Sequence, residues 1–369
     1  DLAMAIGIDP KDPYAYSARG LARGRRGDLP GELDDYRQAI EIDPRCDQAY
    51  VNRSAARLVS GDWAAAAADA AKAIDLNPRS ADGYVNRANA RGAQADIDGA
   101  IRDAETAIKI NPTKSEAWST RGTARAMKDD LEGAADDVAK ALALDALNAA
   151  AYATRGAIRG RRGDDDGVIE DTTKAIDLDG RHAEWYANRS GALLKKGDLD
   201  RALADGGKSI DINPRLALAW FSRGLARERK GDLDGAMADW NTAIELDPRY
   251  STAFHNRASI RFRKRDFDGA ISDDTRAIEV NPRYAEAWYN RGLAWAQKRE
   301  IPSAIEDYTK AISINPAYAE AYANRGGLYG YLGQNDRAIA DFEKALDVAP
   351  AGWSYRRKVE EMLKAARKR

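Results

Sequence analysis

A period of 34 residues runs through the whole chain without an insertion or a deletion. Pro10, Pro44, Pro78, Pro112, Pro214, Pro248, Pro282, Pro316 and Pro350 stand on that lattice, and Ala146 and Gly180 fill its two other positions. A fixed period of this length means a stack of identical supersecondary units, so the fold follows from reading one unit. It also bounds function, because such stacks serve as surfaces for holding other molecules.

With the proline placed in slot 32, the first complete unit is 13–46 and the tenth is 319–352. Slot 4 is aromatic in all ten, from Tyr16 and Tyr50 to Trp288 and Tyr322. Slot 8 is Gly, Ser or Ala throughout, as in Gly20, Ser54, Ala88 and Gly122. This spacing predicts a helix carrying a stripe of small residues, along which a second helix comes close. Gly27-Asp28, Gly61-Asp62, Gly163-Asp164, Gly197-Asp198 and Gly231-Asp232 then mark a turn. Glycine closes the first helix in a left-handed conformation, and aspartate accepts from the free amides that open the second. Ala270, Ile271, Ala277, Ile278 and Val280 show the apolar face of that second helix. The Asn/Asp-Pro pair ends it, since a residue before proline avoids the helical region.

These residues resemble the tetratricopeptide repeat family, whose pattern is an aromatic at slot 4, Gly at 8, Ala at 20, an aromatic at 24, Ala at 27 and Pro at 32. The resemblance covers nearly the whole chain. It implies an all-α, right-handed superhelical solenoid of antiparallel helix pairs. The expected division is the end of a truncated preceding repeat at 1–12, ten repeats at 13–352 and a capping helix at 353–369. Two departures stand out. Slot 24 keeps an aromatic only in Tyr36, Trp240, Tyr308 and Phe342. Slot 7, usually Leu in the family, is Arg in every unit, from Arg19 and Arg53 to Arg291 and Arg325. Slot 23 is Asp in every unit, from Asp35 and Asp69 to Asp307 and Asp341. Antiparallel helices bring those slots to similar heights, which predicts a ladder of Arg–Asp pairs, within units or between them.

The chain carries 58 basic and 59 acidic residues, a formal charge of −1. A nucleic-acid binder usually carries a basic excess or stripe, so nucleic acid is not expected as a partner. No apolar run approaches a membrane span, so no membrane insertion is expected. Cys46 is the only cysteine, and no intrachain disulfide exists. With no signal peptide visible, a cytoplasmic location is favoured. His182 and His255 occupy different slots, too few for a metal site. No phosphate loop or nucleophile elbow is present, and neither cofactor nor catalysis is expected.

The first residues read as the last half of a second helix, with Asp1 in slot 23. A longer parent chain is the expectation. Residues 353–369, which carry Trp353, Tyr355, Val359, Met362 and Leu363 among many charges, read as a solvating helix that covers the last unit. Lys364, Arg367, Lys368 and Arg369 give it a basic end.

In the resembled family the first helices line a concave groove, which implies that slots 2, 5, 6, 9, 12 and 13 face a ligand. Slot 6 is Asn52, Asn86, Asn188, Asn256, Asn290 and Asn324, with Thr120, Thr154, Ser222 and Ala18 in the other units. A row of amides at regular rise can pair with the backbone of an extended peptide. It is similar to the asparagine ladder of the O-linked N-acetylglucosamine transferases. Packing within the repeat is the alternative use of the same residues. Leu218, Phe221, Leu225, His255, Phe262, Tyr289 and Leu293 add an apolar and aromatic cluster on the same slots. Basic slot 13 residues (Arg25, Arg161, Lys195, Arg229, Arg263) and acidic slot 2 residues (Glu116, Glu184, Glu286, Glu320) are expected on opposite rims. The two-carboxylate clamp of chaperone-tail binders is absent, since slot 5 is never Lys. The expected partner is a protein or an extended peptide segment. A regulatory or substrate-recruiting arm of a larger enzyme is the second reading, and a helical-repeat RNA binder the third.

Overall fold

The computed structural model describes residues 2–368, and every regular element among them is an α-helix. Asp1, read above as slot 23 of an earlier unit, and Arg369 of the basic terminus lie outside the described residues. The chain divides into two compact units at Asn213 and Pro214. In the first unit, α1 (Leu2–Ile8) precedes six helix pairs. These are α2 (Pro13–Arg25) with α3 (Leu29–Ile42), α4 (Asp47–Ser60) with α5 (Trp63–Leu76), and α6 (Ala81–Ala93) with α7 (Ile97–Ile110). Next come α8 (Ser115–Met127) with α9 (Leu131–Leu144), α10 (Ala149–Arg161) with α11 (Asp165–Leu178), and α12 (Ala183–Lys196) with α13 (Leu199–Ile212). The second unit holds α14 (Ala217–Arg229) with α15 (Leu233–Leu246), α16 (Ser251–Arg263) with α17 (Phe267–Val280), and α18 (Ala285–Gln297) with α19 (Ile301–Ile314). It ends with α20 (Ala319–Tyr331), α21 (Asn335–Val348) and α22 (Arg356–Ala366).

The turn inside each pair is built as the Gly-Asp signature predicts. Gly27 and Gly231 close their helices at φ +79° and +87°. Asp28 accepts from the Gly31 amide at 3.0 Å and Asp232 from the Gly235 amide at 2.9 Å. Four pairs reach the same left-handed turn without glycine, at Ala95, Asp129, Arg265 and Arg299. Slot 15 therefore demands the conformation in every pair, whatever residue stands there.

Small side chains hold the two helices of a pair together. Ala39, Ala73, Ala107, Ala141, Ala243 and Ala311, all in slot 27, are fully buried. Tyr36, Trp240, Tyr308 and Phe342 fill slot 24 and are also buried. Within each unit a pair packs on the next, so burial is completed by stacking.

The C-terminal segment covers the last pair, with one correction to the expected helix. It starts at Arg356, and Trp353 and Tyr355 lie in the turn before it. Trp353 is buried and its Nε1 donates to Glu320 Oε1 at 2.7 Å, a bond that ties the turn to α20. Val359 and Leu363 of α22 join Ala338 and Phe342 of α21 in one apolar cluster.

Candidate functional site

Each pair carries the same ionic device, and it is internal to the pair. Arg223 Nη2 donates to Asp239 Oδ1 at 2.6 Å and Nε to Oδ2 at 2.9 Å. The same fork joins Arg53 to Asp69, Arg121 to Asp137 and Arg325 to Asp341. The slot 4 aromatic lies beside the guanidinium, with Arg223 4.8 Å from the Trp220 ring and Arg121 4.9 Å from Trp118. A second arginine, in slot 11, reaches the same carboxylate: Arg57 to Asp69 at 2.6 Å and Arg227 to Asp239 at 2.8 Å. Sequence reasoning found the first arginine and missed the second, whose signal is Arg at slot 11 in seven of the ten units. Hydrogen bonding to its Asp raises the Arg121 pKa against the burial that lowers it. These cations are spent inside the fold.

The slot 6 amides have three fates. Asn86 Nδ2 donates to the Val51 carbonyl at 3.0 Å, Asn290 to Ser259 Oγ at 3.2 Å and Asn324 to the Tyr289 hydroxyl at 2.9 Å. Each bond ties a first helix to the one before it. Asn52 accepts from Gln48 of its own helix at 2.8 Å. The side chains of Asn188, exposed, and Asn256, half-buried, make no hydrogen bond among the described residues. An amide that gives one N–H keeps a second N–H and its carbonyl oxygen. The row thus retains hydrogen-bonding capacity after its packing role is met.

The aromatic cluster of the second unit is organised around tyrosines that the slot reading left out. Phe221 lies 4.7 Å from Tyr250, His255 4.9 Å from Tyr284, and Tyr289 4.8 Å from Tyr318, centroid to centroid. Tyr250, Tyr284 and Tyr318 all occupy slot 34, the residue before each first helix. On the other side of slot 5 stands slot 24. Phe221 faces Trp240 at 6.5 Å and Tyr289 faces Tyr308 at 5.7 Å. Between those two aromatic pairs, His255 faces Asp274 instead, with Nδ1 2.9 Å from Oδ1. Burial pushes the Asp274 carboxyl up to about 6, opposed by His255.

The apolar residues named from the sequence are half-buried rather than free. Phe221 and Leu225 pack on Trp240 and Ile260, and Phe262 packs on Phe267 at 5.4 Å. Leu218 and Leu293 are half-buried on α14 and α18. The structure brings the named residues into a series of local clusters along successive first helices. Of the basic slot 13 residues, Arg161 pairs with Asp129 at 2.7 Å, Lys195 with Asp165 at 2.9 Å and Arg263 with Glu228 at 3.1 Å. Cys46 is buried, which raises its thiol pKa. No helix of the described residues is long and apolar enough to cross a membrane.

The tetratricopeptide repeat profiles match residues 85–151, 217–250, 285–318 and 319–351. No curated protein matches the chain. Among solved structures, the APC/C hetero-tetramer Cut9-Hcn1 aligns over 96% of this chain and 76% of its own, at 14% identity and a TM-score of 0.66. That likeness shows the fold. MamA is 30% identical over 43% of this chain and 93% of its own, with a TM-score of 0.41. Yeast Tom70 is 17% identical, covering 100% of this chain and 91% of its own, with a TM-score of 0.46.

Proposed function

The chain belongs to the tetratricopeptide repeat family, and from that premise we propose a non-catalytic protein-interaction scaffold that holds an extended peptide against its first helices. Residues 13–352 form the working repeats in this reading, and 353–369 close them. The observation that carries it is the slot 6 row. The Asn256 side chain makes no hydrogen bond among the described residues, and neighbouring Asn290 spends one N–H on Ser259. Both present an unused amide donor and acceptor on adjacent first helices of the second unit. A peptide backbone offers the complementary pattern at every residue. The Arg–Asp ladder supports the reading indirectly. It fixes each pair rigidly, so the groups for a ligand are held in place before it arrives.

The test is a random-sequence peptide display selection on the whole chain, followed by affinity measurement on the Asn256→Ala/Asn290→Ala variant. Binding should weaken about tenfold, the order expected for one or two lost hydrogen bonds. Helicity should be unchanged. Unaltered affinity in a folded variant would sink the amide-row reading.

A further inference from the structure

The repeat pattern breaks in several slots at one junction, where α3 of the first pair meets α4 of the second, and a cavity of about 350 Å³ lies there. At later junctions slot 18 of one pair meets slot 14 of the next in an ion pair. Asp98 joins Lys128 at 2.8 Å and Glu132 joins Arg162 at 2.6 Å. Here the same slots hold Pro30 and Ser60, which cannot form one. Both border the cavity, and Ser60 turns its hydroxyl back to the Arg57 carbonyl at 2.9 Å.

Three arginines line the opening: Arg37 from α3, Arg53 and Arg57 from α4. Arg53 gives Nε and Nη2 to Asp69, and its Nη1 has no acceptor among the described residues. In four other pairs that Nη1 donates to a slot 25 oxygen of the preceding pair. Arg189 reaches Thr173 at 3.0 Å and Arg257 reaches Asn241 at 2.7 Å, and Thr275 and Thr309 serve Arg291 and Arg325. Slot 25 at this junction is Arg37, a donor where an acceptor stands elsewhere. Arg57 departs as well. The six other slot 11 arginines hold Nε close to the slot 16 aspartate of their own pair, as Arg23 does with Asp28 at 3.7 Å. Arg57 makes no such contact with Asp62, and its Nε is unpaired among the described residues.

Two carboxylates border the cavity, and both are engaged. Asp34 holds Arg37 one turn along α3, with both side chains at least half exposed. Asp62 accepts from the Ala65 amide at 3.2 Å. The lining therefore offers donors without acceptors. Pro30 and Leu33 add an apolar wall.

We propose that this junction binds a small organic phosphate. Its oxygens accept from Arg53 Nη1, from Arg57 Nε and from Arg37, whose pair with Asp34 is weakened by solvent. Guanidinium forks suit the several oxygens of a phosphate. The organic body lies against Pro30 and Leu33, and the volume falls within the roughly 300–1,000 Å³ of small-molecule sites. No slot 6 amide borders the cavity, so the site is independent of the peptide reading.

Isothermal titration of the whole chain with phenyl phosphate, benzoate and inorganic phosphate tests this. Phenyl phosphate should bind about tenfold tighter than either of the others. Arg37→Thr installs the slot 25 residue of other junctions and supplies Arg53 with its acceptor. It should lower phenyl phosphate affinity about tenfold or more, the order of one lost charge-assisted bond. Pro30→Asp/Ser60→Lys rebuilds the ion pair of other junctions at the opening and should lower it as well. Circular dichroism should show both variants as helical as the native chain. Absence of phenyl phosphate binding to the native chain overturns the proposal, and so does undiminished binding in either variant. Benzoate or inorganic phosphate binding as tightly as phenyl phosphate overturns the ligand class, and the proposal with it.

Discussion

Gly224 of α14 and Trp240 of α15 are shaped to one another: a Cβ on Gly224 would stand 2.4 Å from Trp240 Nε1. The indole is fully buried and donates to the Phe221 carbonyl at 3.3 Å, so it has no free space to enter. The relation recurs. Gly20 meets Tyr36 at 2.8 Å, Gly292 meets Tyr308 at 2.8 Å and Gly326 meets Phe342 at 2.9 Å. Where slot 24 is small, slot 8 gains an atom or two, as in Ser54 with Ala70 and Ala88 with Ala104.

Gly224→Ala should therefore destabilise the protein by about 1–3 kcal/mol, the usual cost of overpacking a filled core. In a Trp240→Ala background the same change should stabilise by up to about 1 kcal/mol, because Ala is the better helix former. Urea unfolding of the four-variant cycle measures both. An effect of the same sign in both backgrounds would remove the steric account.

Asp239 receives two arginines, Arg223 and Arg227, and is itself buried. Asp239→Ala leaves both guanidinium groups without their acceptor. The expected loss is about 3–5 kcal/mol, as for breaking other buried pairs. Lys128 and Asp98 form the contrasting case, since both side chains are more than half exposed. Solvent screens that pair, and Asp98→Asn should leave the unfolding midpoint unmoved. Comparable losses at the two sites would mean that burial does not set the strength of these bridges.

The Asp274 carboxyl gives the fold a pH dependence of unusual sign. Burial, only partly offset by His255, raises it from 3.8 to about 6. The folded state then binds more protons than the unfolded state between those values. Stability supplied by the neutral acid is present at the lower end and is lost as pH rises through 6. The difference is of order 2–3 kcal/mol. Asp274→Asn should keep the bond to His255, stabilise the protein above pH 7 and remove this titration from the variant's own stability curve, so that the native-minus-variant difference falls as pH rises through 6. Unfolding midpoints of both proteins across the acid-to-neutral range decide it. A native-minus-variant difference that does not change with pH would contradict the assignment. Asp179 runs the other way: burial works against its ionisation, yet bonds from His182 and Arg181 hold it well below the usual range. Its contribution is present near neutrality and disappears on acidification.

Much of the repeat was legible because each signal is local. Gly61-Asp62 predicts a turn within four residues of chain, and the turn is there. The Arg–Asp ladder was legible because both residues recur in every unit, which no solvated face requires. Whether it lay within or between pairs depended on helix spacing, which the sequence does not encode locally. The same limit hid the fate of the amides. Asn86 and Asn256 look alike in sequence, yet one is tied to Val51 and the other is free. Tyr284 was missed because slot 34 lies outside the first helix, and the ring returns to His255 only through the turn. Asp274 reads as one more surface charge until the fold places it under a histidine 19 positions earlier.

Arg265 holds a left-handed turn at φ +65° that glycine supplies in six other pairs. A side chain in that region costs roughly 1–2 kcal/mol, partly balanced by the greater freedom glycine gives the unfolded chain. Arg265→Gly should raise stability by about 0.5–1 kcal/mol on that balance. Gly231→Ala, at φ +87°, should lower it by a similar or larger amount. Thermal unfolding of the two variants checks the pair, and a loss in Arg265→Gly would point to a role for the arginine beyond the turn.

Gln334 opens α21 with backbone angles close to those of Asp232 and Asp266, but its side chain makes no cap bond. It accepts from the Arg337 guanidinium at 3.0 Å instead, while the aspartates accept from backbone amides three residues on. Gln334→Asp places a carboxylate within reach of the Arg337 amide, and its charge also suits the positive end of the helix. The gain should be about 1 kcal/mol, matched by a similar loss for Asp266→Ala. Amide hydrogen exchange reports the bond itself. The Arg337 N–H should exchange more slowly in the variant, and the first turn of α21 should fray less beside the closing helix α22. Unchanged exchange at Arg337 would mean that the terminal pair is held by α22 alone.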